Sequence, residues 1–87
     1  MVLGDEIRKF ICKKYIQPAR QRGQSHITIV SGEIHSFMAL DHRMPAVCSA
    51  LRSKALENEC EIQLINEIRK PGVKKDSSTN KFLFKIY

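Results

Sequence analysis

The sequence has few of the features that mark membrane, secreted or cofactor-loaded proteins. Its 87 residues include no tryptophan and only three prolines, and no apolar run is long enough for a membrane helix. The first residues, MVLGDEIRKF, carry acids early and lack the apolar stretch of a signal peptide. We therefore expect a protein of the cytoplasm, associated with the nucleoid or the nucleus depending on the organism, and without a membrane partner.

Cysteine is also scarce, because only Cys12, Cys48 and Cys60 occur. No C-x-x-C or H-x-x-x-H pair is present, so no metal site is expected. The odd number and wide spacing predict reduced, buried thiols. The phosphate-cradling motif G-x-x-x-x-G-K-S/T is missing, and no evident pocket pairs a nucleophile with a histidine. We expect no catalytic residues, no cofactor and no enzyme activity.

Acidic residues are too few to balance the basic ones, and this excess is informative. Fifteen Lys and Arg face nine Asp and Glu, which gives a net charge of +6. Residues 1–30 and 61–87 each hold six bases, whereas residues 31–60 hold three bases and four acids. A small basic domain attracts polyanions, most often nucleic acid. The charge alone is also typical of many other soluble proteins.

The apolar spacing of the first half predicts a helix, a short strand and a second helix. Helical periodicity runs over residues 5–17, and Pro18 should end that helix at about Gln17. The β-branched segment HITIV, residues 26–30, predicts a strand. Ser31 is a suitable N-cap for a short helix that reaches about Leu40.

After the turn DHRM, the second half predicts a third helix and a hairpin. Pro45 favours a helix start, and this helix should run to about Asn58 with its apolar side inward. The opposite side carries small residues and an arginine: Ala46, Ser49, Ala50, Ser53 and Arg52. The segment CEIQLINEIRK predicts a strand, in which Ile65 and Ile68 break the alternation and indicate a bulge or a bend. The alternating KFLFKIY predicts the partner strand.

This order of elements, from about Asp5 to Tyr87, resembles the winged helix-turn-helix superfamily, and SGEIHSFMAL looks like the helix that precedes the turn. The resemblance implies one α+β domain over residues 1–87, ordered α-β-α-α-β-β, in which the short strand completes a three-stranded antiparallel sheet. It implies that Pro45–Asn58 is the recognition helix and Pro71–Asn80 the wing. Val47 comes later than the family's usual apolar anchor, so the turn is longer or Met44 replaces that anchor.

The resemblance implies a double-stranded DNA-binding protein, a transcriptional regulator that inserts its third helix in the major groove. The small side chains on the outer face of that helix suit a groove about 12 Å wide. Arginines would contact guanine or phosphate, wing lysines would follow the backbone, and the start of the second helix would offer N–H groups to a phosphate. The predicted contact residues are Ser31, Arg43, Ala46, Ser49, Arg52, Ser53, Lys70, Lys74 and Lys75.

Two alternatives remain open. Winged helices also serve as protein–protein or RNA-interaction modules, and the fold does not decide between these functions. The alternative for the candidate cations is a solvated surface and a flexible loop. A single module of this size buries roughly 600–1,000 Å² against DNA, which favours a homodimer or a partner protein. The first helix and the last strand, with Leu83 and Tyr87, are candidate pairing surfaces.

Overall fold

The computed structural model describes residues 3–69, 71–72 and 77–87. The mixed α+β class that the sequence predicts is confirmed. The elements are, in chain order, α1 (Leu3–Ile11), a π-helical segment (Cys12–Ile16), α2 (Gln17–Gln21), β1 (His26–Val30), α3 (Ser31–Phe37), α4 (Met44–Arg52), α5 (Lys54–Cys60), β2 (Ile62–Ile68) and β3 (Lys81–Ile86). Residues 69–80, between β2 and β3, are called the hairpin loop below.

The three strands form one antiparallel sheet in the order β1-β3-β2. The short strand therefore pairs with the hairpin, as predicted. The register of β2 against β3 shifts between Leu64 and Asn66, which confirms the predicted bulge. The bulge matters because Glu67 lies opposite Phe82, on the inner face of the sheet. Without the extra residue, Glu67 would point to the other side.

The core lies between the inner face of the sheet and the helices. Phe82, Phe84 and Ile86 alternate along β3 and are all buried, because alternate residues of a strand share one face. The other buried apolar residues come from every helical element and both edge strands: Ile7, Ile11, Ile16, Ala19, Ile29, Ile34, Val47, Cys48, Ala50, Leu51, Leu56, Cys60 and Ile62. Among the described residues, no helix is both long and apolar enough to cross a membrane.

The first helical stretch is longer than predicted, because Pro18 does not end it. Helical backbone continues through Pro18 to Gln21, with Pro18 in the first turn of α2. The N–H of Gln17 donates to the carbonyl of Cys12, one residue further back than in an α-helix. This wider π-helical turn precedes the proline, which has no N–H to donate and whose ring would crowd a carbonyl of a regular helix.

The predicted third helix is two helices, and the expectation of one rod from Pro45 to Asn58 is wrong. The chain turns extended at Ser53, where φ is −78° and ψ is 143°. The Ser53 hydroxyl accepts a hydrogen bond from the N–H of Leu56 and so caps α5. Serine favours this role because its short side chain competes with the helical backbone for hydrogen bonds.

The prediction of three reduced thiols is also wrong, because Cys12 and Cys60 form a disulfide. Their Cα atoms lie 5.5 Å apart although 48 positions separate them in the chain. The bond joins the π-helical segment to the end of α5. The guanidinium of Arg20 strengthens the same junction by donating to the carbonyls of Cys60 and Tyr87. Cys48 is buried and takes no part in the disulfide.

Breaking the disulfide should lower the free energy of unfolding by roughly 2–4 kcal/mol, because the unfolded chain regains the entropy lost by closing a long loop. Urea unfolding of oxidised and phosphine-reduced protein, followed by circular dichroism, measures this difference. The double variant Cys12→Ala with Cys60→Ala is the control, since it should not respond to the reductant. Equal stability of oxidised and reduced wild-type protein would contradict the prediction.

Candidate nucleic-acid interface

The outward face of α4 is narrow. Val47, Cys48 and Leu51 are buried, whereas Pro45 and Ser49 are exposed. This arrangement follows from the helical period, which places residues 45 and 49 one above the other. No large side chain stands on this exposed strip, so the helix backbone can approach a partner closely. The exposure predicted for Ser49 is therefore confirmed, and its contact with DNA stays a prediction.

The other small residues of the predicted outer face are less accessible. Ala46 is half-buried and packs against the core. Ala50, expected on the outer face, is only 3% exposed, which corrects that expectation. Ser53 lies at the break between α4 and α5, where its hydroxyl donates to the carbonyl of Ala50 as well as capping α5. The Ser53 hydroxyl is thus bonded to backbone groups of the neighbouring turns. Of these small residues, Ser49 alone is exposed to solvent.

Arg43 is exposed at the N-cap of α4 and is fixed by the preceding turn. Its backbone N–H donates to Nε2 of His35, which reaches across from α3. Ala39 and His42 adopt left-handed backbone conformations, with φ of 53° and 52°. Non-glycine residues adopt this conformation at some energetic cost, typically in a tight turn. The turn therefore fixes the Arg43 backbone next to the exposed strip of α4.

The sequence suggested that the Arg52 side chain stands at the edge of the outer face, available to DNA. In the structure it is instead paired with a carboxylate. Its Nε and one terminal nitrogen donate to the two carboxylate oxygens of Glu67, each at 2.7 Å. The guanidinium also lies over the Phe82 ring, 5.5 Å from its centroid. Both ionic side chains are about one-fifth exposed, 22% and 21%. This paired geometry is the strongest that Arg and a carboxylate form, and it joins the last turn of α4 to β2.

The position of Ser31 differs from the expectation that the start of this helix offers N–H groups to a phosphate. Ser31 is fully buried and is the first residue of α3, whose N-cap is Val30. Its N–H donates to the carbonyl of Asn80 at 3.1 Å, and its hydroxyl donates to that of Ser77 at 2.7 Å. The N–H of Gly32 donates to the carbonyl of Ser78 at 3.0 Å. The start of α3 thus holds the end of the hairpin loop and has no N–H at these positions to give a phosphate.

The hairpin loop is attached to the helices at both ends. The strand before it is held to α4 through Glu67, and the last residues of the loop are held to α3 by Ser31 and Gly32. Arg69, the first residue of the loop, and Lys81, the first residue of β3, are both exposed. Nε of Arg69 lies 3.8 Å from the Glu67 carboxylate. The predicted contacts Lys70, Lys74 and Lys75 lie outside the described residues.

The basic residues of the first helical stretch do not form one cationic track. Arg20 is tied to backbone carbonyls, and Lys14 lies over the exposed Phe37 ring, 4.9 Å from its centroid. Next to this pair, burial and then the carboxylate of Glu33 raise the pKa of the Tyr15 phenol. The phenol therefore stays uncharged at neutral pH. This surface is aromatic and cationic.

The sequence reasoning missed three residues that position the candidate site: Gly32, His35 and Glu67. Gly32 carried the only local signal, because a glycine beside a helix start indicates a close approach of another segment. A Cβ built there would lie 2.6 Å from the carbonyl oxygen of Ser78. Glu67 and His35 act through residues distant in sequence or across a turn, so no local pattern marks them.

Comparisons with known proteins give no assignment. No protein-family model matches the chain, and neither a curated protein nor a solved structure shows significant similarity to it. Within the described residues, no group of three or more His, Cys, Asp or Glu side chains is arranged to hold a metal ion.

The Arg52–Glu67 pair should contribute measurably to stability. A double-mutant cycle with Arg52→Gln and Glu67→Gln should give a coupling free energy of roughly 1–2 kcal/mol, because the pair is bidentate and mostly shielded from water. Urea unfolding of the four proteins measures it. The pair Lys54–Glu57, whose charged atoms are 3.9 Å apart with the lysine 92% exposed, is the matched control and should couple by less than about 0.5 kcal/mol. Similar coupling in both cycles would contradict the assignment.

Gly32→Ala should detach the end of the hairpin loop from α3. The added methyl group would overlap the Ser78 carbonyl, and relieving the overlap should cost about 1–3 kcal/mol of stability. Hydrogen–deuterium exchange at residue 32 and urea unfolding measure the two effects. Gly4→Ala is the control, since its nearest neighbour at 3.3 Å is the flexible end of the Arg8 side chain. Unchanged protection at residue 32 would disprove the close approach.

Proposed function

We propose that the protein is a winged helix-turn-helix protein that binds double-stranded DNA as a transcriptional regulator. In this proposal α4 enters the major groove and the hairpin loop is the wing. The observed order of elements and the strand order β1-β3-β2 support it, because they agree with what the resemblance implies for that superfamily. The break at Ser53 shortens the recognition helix to α4, with α5 leading back to the sheet.

The observation that carries the proposal is the double attachment of the hairpin loop. Arg52 and Glu67 hold its first strand to α4, and Ser31 holds its far end to α3. A loop with Lys70, Lys74 and Lys75 in its sequence is therefore rooted beside the helix that presents Ser49. Phosphate contacts position a protein on DNA and base contacts specify the sequence, so a cationic wing next to a slim helix supplies both needs.

The residues take different roles in this proposal. Arg43 and Ser49 are the candidates for direct contact, because both are exposed at or next to the outward strip of α4. Ala46 allows close approach of the backbone. Arg52 acts as a positioning residue, since its guanidinium nitrogens are used by Glu67. The wing lysines would neutralise phosphates without reading sequence.

A protein-interaction role is the second candidate, and one observation favours it. The large apolar side chains of Ile65, Ile68 and Tyr87 are between 48% and 61% exposed on β2 and at the end of β3. Leu83 lies on the same outer side of the sheet as Ile68, which pairs with Lys81. A homodimer or a partner protein would bury this surface without competing for α4.

Duplex DNA should bind with strong salt dependence. If five to eight cations contact phosphates, the logarithm of the binding constant should fall with the logarithm of salt concentration at a slope of about −4.5 to −7. Fluorescence anisotropy with a labelled random duplex at several salt concentrations measures it. Absence of binding at low salt would refute the DNA proposal and leave the protein-interaction role.

Charge-removing variants locate the contact. Lys74→Ala with Lys75→Ala should weaken all duplexes alike and reduce the salt slope by about two, because two phosphate contacts are lost. Arg43→Ala should also weaken binding. Lys85→Ala is the matched control, since Lys85 is exposed on the outer face of the sheet, where its ammonium lies 5.3 Å from the centroid of the Tyr87 ring. An equal loss for Lys85→Ala would move the contact to that outer face.

A further inference from the structure

One cysteine of the disulfide, Cys12, borders a cavity at the surface. This cavity, of about 360 Å³, opens between the first helical stretch and the end of α5. Its lining comprises two cationic, one acidic and one amide side chain together with one half of the disulfide: Lys9, Lys13, Glu59, Gln17 and Cys12. The cavity therefore brings a small molecule next to Cys12.

The two cysteines of the disulfide differ in exposure. Cys60 is only 3% exposed and belongs to the core, whereas Cys12 is partly exposed and lines the cavity. A thiolate nucleophile must reach the sulfur it attacks along an open path, so only Cys12 offers one. The third cysteine, Cys48, is fully buried and stays outside this chemistry.

The charge around Cys12 selects the incoming group. Lys9 and Lys13 precede and follow Cys12 on the same helical stretch and border the same cavity. The one carboxylate there, Glu59, accepts a hydrogen bond from Nε of Arg8 at 3.3 Å, which offsets its negative charge. Cations beside a reacting sulfur favour both a thiolate and any carboxylates that the incoming molecule carries.

We propose that Cys12 is a thiol-exchange site that takes an anionic low-molecular-weight thiol of the glutathione class. The incoming thiolate forms a bond to Sγ of Cys12, and the Cys12–Cys60 bond breaks. Its electron pair leaves on Sγ of Cys60, which takes up a proton. The products are a mixed disulfide on Cys12 and a free Cys60 thiol, and no external oxidant or reductant is needed.

The same geometry makes the modification reversible. The Cα atoms of Cys12 and Cys60 lie 5.5 Å apart in the disulfide-bonded protein. Once deprotonated, Cys60 can attack Sγ of Cys12 and expel the small thiol, which restores the original bond. Arg20 continues to hold the Cys60 carbonyl, so the resolving cysteine stays close while the mixed disulfide exists. This site does not depend on the proposed function of α4.

Mass spectrometry of the oxidised protein treated with reduced glutathione tests the proposal. Because Cys60 can expel the adduct again, the reaction is quenched with acid at short times. Intact mass should then show one glutathione adduct, and peptide mapping should place it on Cys12. Exchange with glutathione should be several-fold faster than with neutral mercaptoethanol at equal thiolate concentration, and added salt should remove the difference. An adduct on Cys60, or no adduct on either cysteine, would overturn the assignment.

Charge variants make the test specific. Lys9→Gln with Lys13→Gln should slow exchange with glutathione several-fold more than exchange with mercaptoethanol, because glutathione carries carboxylates besides its thiolate. Lys54→Gln is the control, because this lysine is highly exposed and does not line the cavity. Thermal unfolding of each oxidised variant checks that the fold is retained. Equal slowing of both thiols, or no slowing of glutathione, would show that the lysines do not select an anionic thiol and would refute the proposal.

Discussion

The bidentate ion pair between Arg52 and Glu67 is the interaction on which the arrangement of helix and hairpin depends. It joins the last turn of α4 to β2 and packs over the Phe82 ring in the centre of the sheet. Because the pair is partly buried, water competes less for its two hydrogen bonds. The planar guanidinium therefore fixes the direction of the contact between α4 and β2 as well as its distance. The bulge in β2 makes the pair possible, because it turns Glu67 to the inner face.

The two ends of the sheet are held by different chemistry. At the hairpin end, the Arg52–Glu67 pair and the bonds from Ser31 attach the strands to α4 and α3. At the opposite end, Arg20 donates to the carbonyls of Cys60 and Tyr87, and the disulfide joins Cys60 to the first helical stretch. The candidate DNA interface lies at the first end and the thiol-exchange site at the second. Thiol exchange at Cys12 and DNA binding at α4 can therefore be tested separately.

Local patterns predicted the parts of the fold that local forces decide. The strand His26–Val30 and the burial of alternate residues in β3 follow from β-branched and alternating sequence, and both are as predicted. The break at Ser53 was missed because serine is compatible with a helix until its hydroxyl finds Leu56. The positions of Arg52 and Ser31 were misjudged for another reason. Their partners, Glu67 and Asn80, come close only through the strand register and the return of the hairpin loop.

Amide chemical shifts of nitrogen-labelled protein, recorded while duplex DNA is added at low salt, test the account most directly. The account predicts that the largest shifts fall on Arg43, Ser49 and the root of the hairpin loop, Ser77–Lys81. It predicts that the outer face of the sheet, at Thr28 and Lys85, stays unchanged. Largest shifts at Thr28 and Lys85, with none at Ser49, would contradict it.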